Sequence, residues 1–182
     1  IIIDKKSITI HHSDPGGKVY AVITLIQLIN FYKTKLPLGS IQDKPTLAWR
    51  GMHLDCVRQF YSIDEIKRLL DYMCFFKLNR FHWHLTDNEA WRVELKSYPN
   101  LTKAGAFRGY NELIPPFYGT GYNKSGGYYS RDQIQELINY AKQRNIEIMP
   151  ELDLPAHSWT LLQVMPELRD SGSNILSEDV GN

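Results

Sequence analysis

Phe81-His82-Trp83-His84-Leu85-Thr86-Asp87-Asn88-Glu89-Ala90-Trp91-Arg92 is the stretch on which the fold turns. From Phe81 to Leu85 it alternates as a strand does, so His82 and His84 project to one face and Trp83 to the other. Asp87 follows where that strand would end. When strands are joined by helical crossovers, chemistry collects at this end. Two histidines, two acids, two tryptophans and an arginine within twelve residues make a cluster too polar to be explained by packing alone.

The flanking sequence puts this strand in a repeating pattern. Upstream, Ser62-Ile63-Asp64-Glu65 reads as a capping box, and the helix it opens buries Ile66, Leu69, Leu70 and Met73. Before that helix, residues 47–54 form a strand candidate ending at Asp55. Downstream, Ser130-Arg131-Asp132-Gln133 is a second capping box, with Ile134, Leu137, Ile138 and Ala141 as the inner face of its helix. The apolar run 146–149, interrupted only by Glu147, reads as a buried strand ending at Pro150-Glu151. Strand alternating with helix in this way argues for parallel βα units. The irregular stretch 91–129, rich in Gly, Pro and Tyr, is too long for a plain connection. It is expected to wall a pocket beside Asp87.

Toward the amino end, residues 1–12 alternate loosely as a strand or hairpin, and Ser13-Asp14-Pro15-Gly16-Gly17 is a turn. Val22, Leu25, Ile26 and Ile29 then recur at helical spacing. Residues 37–45, with two prolines and a glycine, read as a linker. The expected division is a small α/β domain's end over 1–36, the linker, and a second unit over 46–182.

Composition narrows the class of protein. With 43% hydrophobic and 23% charged residues the chain is an ordinary globular one, and a net charge of +1 gives no reason to expect nucleic acid or an anionic membrane as partner. No stretch is apolar enough to span a membrane. The two cysteines, Cys56 and Cys74, exclude a disulfide scaffold and read as buried thiols. Asn100-Leu101-Thr102 and Asn123-Lys124-Ser125 fit the N-glycosylation pattern, at a frequency chance would supply.

Asp55, Asp87, Glu151 and Asp153 fall at strand ends, with His157 shortly after, so parallel neighbours would bring them to one rim. Asp87 and His157 are read as a functional pair, while Asp55 and Glu151 divide evenly between function and buried salt bridges. His82-x-His84 with His157 resembles the ligand layout of a metal-dependent barrel hydrolase. No second acid–histidine motif with ligand spacing accompanies it, and Trp83 and Trp91 suit a sugar pocket better than a metal cage. Interior histidines hydrogen-bonded to neighbours rank first, a sugar site next, a metal last; no metal or cofactor is expected.

The chain resembles the family 20 glycoside hydrolases, the β-N-acetylhexosaminidases. Arg50-Gly51-Met52-His53-Leu54-Asp55 with Arg58 and Phe60 carries the resemblance, followed by Lys77-Leu78-Asn79 and His82-Trp83-His84-Leu85-Thr86-Asp87 with Trp91-Arg92. Tyr98-Pro99-Asn100-Leu101-Thr102, Gly126-Gly127-Tyr128-Tyr129-Ser130 and Pro150-Glu151-Leu152-Asp153-Leu154-Pro155-Ala156-His157 complete it. Each piece alone is weak; the ordered series over residues 45–160 is specific. Residues 8–10 and 24–28 resemble the end of the small α/β domain that precedes the barrel in this family.

The resemblance implies a (β/α)8 barrel, of which this chain holds about the first three βα units. It implies removal of terminal β-linked N-acetylglucosamine or N-acetylgalactosamine from a glycan, by a retaining route in which the substrate's own acetamido oxygen attacks the anomeric carbon. A secreted, periplasmic or lysosomal setting goes with that activity. By resemblance Arg50 binds hydroxyls of the terminal sugar, Asp87 and His157 form a relay to the catalytic acid, and Glu151 and Asp153 support the sugar site. The family's Asp-Glu pair orients the acetamido group and protonates the leaving oxygen, and it has no counterpart here: Asp64-Glu65 belongs to a helix cap, and Glu178-Asp179 has the reverse order. Ala156, Glu89 and Gln59 stand where the family usually has Gly, Gln and His. Three parallel strands cannot close a barrel. The expectation is therefore a longer parent polypeptide, with no activity in these residues alone. A non-catalytic sugar-binding module is the rival reading.

Overall fold

The structure is a computed structural model and describes residues 1–117 and 121–170; Glu178 and Asp179 lie outside the described residues. Ile2–Ile3 (β1) and Ile8–Thr9 (β2) form the expected hairpin. Helix α1 (Pro15–Tyr32) is capped by Asp14, whose Oδ1 accepts the Gly17 N–H at 2.8 Å. Gly39–Ser40 (β3) then pairs antiparallel with β1, completing a sheet of order β2-β1-β3. The stretch read as a linker thus contributes a strand. At two residues, β3 is too short to show a period.

The apolar stripe expected on α1 is not the one it buries. Val22, Ile26 and Ile29 are exposed, and Val19 and Ile23 pack against the core instead. Polar groups on this face do the docking. Gln27 Nε2 donates to Phe75 O at 2.9 Å, Thr24 Oγ1 accepts from Lys77 Nζ at 2.7 Å, and Tyr20 Oη accepts from Asn145 at 2.8 Å. The helix meets loop carbonyls and side chains at the starts of the strands, and such groups demand partners when covered. Gly16 is buried against Asn145 so closely that a Cβ there would stand 2.5 Å from its Nδ2.

The second unit runs Gly51–Asp55 (β4), Ile63–Phe75 (α2), Arg80–Asp87 (β5), Ala90–Trp91 (β6), Asn100–Lys103 (α3), Phe107–Arg108 (β7), Ser125–Gly126 (β8), Arg131–Lys142 (α4), Glu147–Leu152 (β9) and Trp159–Val164 (α5). Strands β4 and β9 flank β5, both parallel to it, with α2 and α4 on the crossovers. Both capping boxes are present, Ser62 with Glu65 and Ser130 with Gln133. β4 starts later than expected because Asn79 takes over the earlier pairing: its Oδ1 accepts from Arg50 N and its Nδ2 donates to Ala48 O, each at 2.9 Å.

Alternation along β5 sorts the two faces. Phe81, Trp83 and Leu85 are buried against Ile66, Leu70 and Met73 of α2 and Leu137 and Ala141 of α4. Each such side chain contributes about 1.5–3 kcal/mol relative to exposure. Ile138, expected on the inner face of α4, is exposed instead. Trp83 stacks on Phe81 and sends Nε1 to Cys56 Sγ at 3.2 Å, while Trp91 donates to Val93 O at 2.8 Å. Both tryptophans are core, not walls of a sugar pocket. β9 is only partly buried along its length, since no strand lies on its outer edge among the described residues. Cys56 and Cys74 are buried free thiols.

Candidate active site

At the carboxyl ends of β4 and β5 four charged groups meet. Asp87, its side chain 3% exposed, is the centre. Its Oδ2 lies 2.6 Å from an Arg58 terminal nitrogen and 3.1 Å from His84 Nε2, and its Oδ1 lies 3.0 Å from His157 Nδ1. The Asn88 N–H adds a bond to Oδ1 at 2.6 Å. Arg58 fans out to two further carboxylates, Asp55 Oδ2 at 3.1 Å and the buried Glu89 Oε2 at 3.1 Å. Burial alone would lower the Arg58 guanidinium, but Glu89, Asp87 and Asp55 together raise it above its ordinary value. Burial would likewise raise Asp55; the N–H groups of Arg58 and Val57, with the guanidinium, outweigh it and hold this carboxyl low.

His157 reaches the site from the segment after β9, with φ 53 in the left-handed region that a non-glycine residue enters only when its surroundings hold it there. The holding groups are visible. Asp153 N donates to Thr86 Oγ1 at 2.8 Å, Trp159 N to Asn88 Oδ1 at 3.1 Å, and Thr160 Oγ1 to Asn88 O at 2.6 Å. With Nδ1 on Asp87, the opposite ring nitrogen faces away from the carboxylate, and the side chain is 54% exposed.

Below this rim lies a layer of histidines on the polar face of the sheet. Register pairs His53 with His82 and His84 with Glu151. Glu151 Oε2 lies 2.8 Å from His82 Nε2 and 2.9 Å from His84 Nδ1, so His84 bridges Glu151 to Asp87. His53, His82 and Glu151 place ligand atoms within 4.8 Å of one another, as do His84, Glu151 and Asp153, and Asp87, Asp153 and His157. These groups could hold a cation. The contacts of Glu151 to His82 and His84 are ion pairs by distance, on a face where the side chains of His53 and His82 are 50% and 43% exposed.

The profile of glycosyl hydrolase family 20, catalytic domain, matches residues 47–180. The chain belongs to glycosyl hydrolase family 20. A β-hexosaminidase of Vibrio furnissii is 42% identical over 167 residues, covering 91% of this chain and 27% of that protein. One of Porphyromonas gingivalis is 36% identical, covering 91% and 21%. The chain therefore spans about a quarter of the length of these relatives. Among solved structures, the exo-β-N-acetylglucosaminidase of Vibrio harveyi in complex with N-acetylglucosamine superposes with a TM-score of 0.90 at 39% identity, over 95% of this chain and 28% of that one.

Within this family-20 chain the expected site residues divide. Asp87 and His157 are brought together at the rim. Asp153 joins them within ligand range, while Glu151 sits one layer down and braces the histidines. Arg50 is not at the rim. It precedes β4, at the opposite end of the strand, with Nε on Lys77 O at 2.8 Å and terminal nitrogens on Leu47 O at 2.6 Å and Tyr20 Oη at 2.7 Å. Its donors go to carbonyls of the loops flanking β4 and α2 and to one side chain of α1, away from the rim where Arg50 was expected to bind sugar. The rim guanidinium is Arg58. Its signal in the sequence was its place three residues beyond the acid that ends β4.

Proposed function

We propose that this chain is the opening part of a (β/α)8 catalytic barrel, about its first three βα units, preceded by the end of a small α/β domain. The complete polypeptide removes terminal non-reducing β-linked N-acetylglucosamine or N-acetylgalactosamine from glycans by substrate-assisted, retaining catalysis. The observation that carries this reading is the Asp87–His157 contact of 3.0 Å beside Arg58 at the strand ends of a family-20 chain. Relatives named as β-hexosaminidases support it.

In this reading Arg58 presents donors to hydroxyls of the terminal sugar, since a rigid fork suits two adjacent oxygens. Asp87 fixes the tautomer and orientation of His157, leaving Nε2 to hydrogen-bond a carboxylic acid and tune its proton affinity. Glu151 and Asp153 brace the rim. The acid itself, with its neighbouring aspartate, comes from elsewhere in the polypeptide, because Asp64-Glu65 is spent on a helix cap, where Glu65 Oε2 accepts from Ser62 N at 2.7 Å.

The test is hydrolysis of an aryl N-acetyl-β-glucosaminide by the complete polypeptide, with the product anomer followed by NMR. Release of the β-anomer first is expected. Binding of N-acetylglucosamine without turnover would favour a non-catalytic sugar-binding module. Stoichiometric zinc whose removal abolishes turnover would favour a metal hydrolase.

A further inference from the structure

We propose that Arg108, backed by Arg92, is a positioning residue for Arg58: two buried guanidiniums from the 92–129 stretch grip the main-chain carbonyls of the turn that presents Arg58. The inference rests on the sugar-binding role proposed for Arg58.

The turn after β4 is held along both polar edges. On one edge, Asp55 Oδ1 accepts the N–H of Val57 at 2.8 Å and of Arg58 at 3.1 Å. On the other, Arg92 donates to Cys56 O at 2.9 Å and to Val57 O at 2.7 Å. Arg108 donates to Val57 O at 3.3 Å, and its second terminal nitrogen donates to Arg58 O. Three consecutive carbonyls are thus taken by two side chains that sequence places about 35 to 50 residues away. The other terminal nitrogen of Arg92 donates to Ala106 O at 2.5 Å and Gly127 O at 2.9 Å, which ties the turn to the interior of the long stretch. Gly126, with φ 128, permits this approach, because a Cβ there would collide with Ala106 O and crowd the Arg92 guanidinium.

These cations are costly to keep. Arg92 is 1% exposed and Arg108 2%, and neither forms a salt bridge among the described residues. Burial, with Arg108's charge adding to it, pushes Arg92 down to about 10. An apolar side chain could fill the same volume without that penalty. Only a planar fork supplies several donors in fixed directions, and here those donors converge on the backbone of the one turn that carries the rim guanidinium. Arg92 and Arg108 therefore form a clamp on the turn that carries Arg58.

The test uses the complete polypeptide as Arg108→Lys, Arg58→Lys and the double variant, with Arg108→Gln beside them should lysine not fold. Kinetics are read on an aryl N-acetyl-β-glucosaminide, and hydrogen exchange on peptides covering residues 55–60. Arg108→Lys is expected to raise KM about tenfold with kcat changed less than about threefold, the pattern of lost uniform binding. In the Arg58→Lys background the same change is expected to add less than about twofold, because the pathway through Arg58 is already broken. Exchange at 55–60 should quicken while α2 and α4 are unaffected. Equal effects in both backgrounds, or an unchanged KM, would overturn the proposal. If the wild-type polypeptide neither binds nor hydrolyses an N-acetylhexosaminide, the functional reading falls. Exchange then still decides the clamp: unaltered protection at 55–60 in Arg108→Lys overturns it.

Discussion

Exchanging each of two arginines for lysine separates the site from the scaffold. Roughly 16 Å of strand lies between Arg50 and the end of β4, at about 3.3 Å per residue, so the two side chains cannot serve one sugar ring. Arg58 reaches Asp55 at 3.1 Å, Asp87 at 2.6 Å and Glu89 at 3.1 Å. A lysine ammonium keeps at most one of these in good geometry. With the Arg58 side chain 35% exposed, each lost contact is taken at about 1 kcal/mol, below the value for a buried charged hydrogen bond because solvent screens the pair. The expected loss is about 2 kcal/mol, a fall in Tm of at most about 4 °C in a barrel of about 250 residues or more. Arg50→Lys forfeits bonds to Lys77 O, Leu47 O and Tyr20 Oη and is expected to cost a similar ~2 kcal/mol. Binding is where they part. Losing a bidentate grip on hydroxyls raises KM for an aryl N-acetyl-β-glucosaminide about 10- to 100-fold in Arg58→Lys. Arg50→Lys leaves KM within about twofold, since its contacts are the same with and without sugar. Steady-state kinetics and thermal melts on the complete polypeptide give all four numbers. A tenfold rise in KM for Arg50→Lys, or none for Arg58→Lys, refutes the reasoning.

Other outcomes follow from the same geometry. Asp87→Asn should lower kcat about 10²-fold by freeing His157 from its tautomer and should raise KM as well, since Asp87 also holds Arg58 at 2.6 Å; a rate within threefold of wild type would count against the relay. Because the folded-state value of Asp55 is depressed, its contribution to stability is complete above the ordinary 3.8 and drains away as pH falls through the lower folded value. The stability gap between wild type and Asp55→Asn, read by urea melts across pH, should therefore close below pH 3.8; a gap independent of pH would contradict this. Leu70→Ala, fully buried under β5, should cost about 2–5 kcal/mol in the same melts. Residues 1–182 expressed alone should turn over no aryl N-acetylglucosaminide, and measurable turnover would place the acid within them.

Much of the site was legible because its signals are local. Helices α2 and α4 announced themselves by reciprocal Ser–Glu and Ser–Gln caps, and β5 by strict alternation, which carried Asp87 to a strand end without reference to any other element. His157 was legible through its motif after β9, not through any periodicity. Arg50 and Arg58 both lie in the segment that carries the family resemblance, eight residues apart, and no local pattern tells which of the two guanidiniums reaches the rim. Only the late start of β4, enforced by Asn79, leaves Arg50 behind at the wrong end. Trp83 and Trp91 read as sugar-pocket rings because they adjoin polar residues; packing against α2 and α4 takes Trp83 into the core, and Trp91 is buried with its Nε1 on Val93 O.

What the sequence determined by itself was the alternation of β4, α2, β5, α4 and β9, and the polar and apolar faces of β5. These depend on spacings of two to four residues along the chain. Tertiary structure alone decided which guanidinium meets Asp87, that α1 docks through Tyr20, Thr24 and Gln27 instead of its apolar stripe, and that Arg92 and Arg108 hold the turn at Arg58. Those contacts join residues dozens of positions apart, and their partners are often main-chain carbonyls, which every residue carries and no sequence pattern marks.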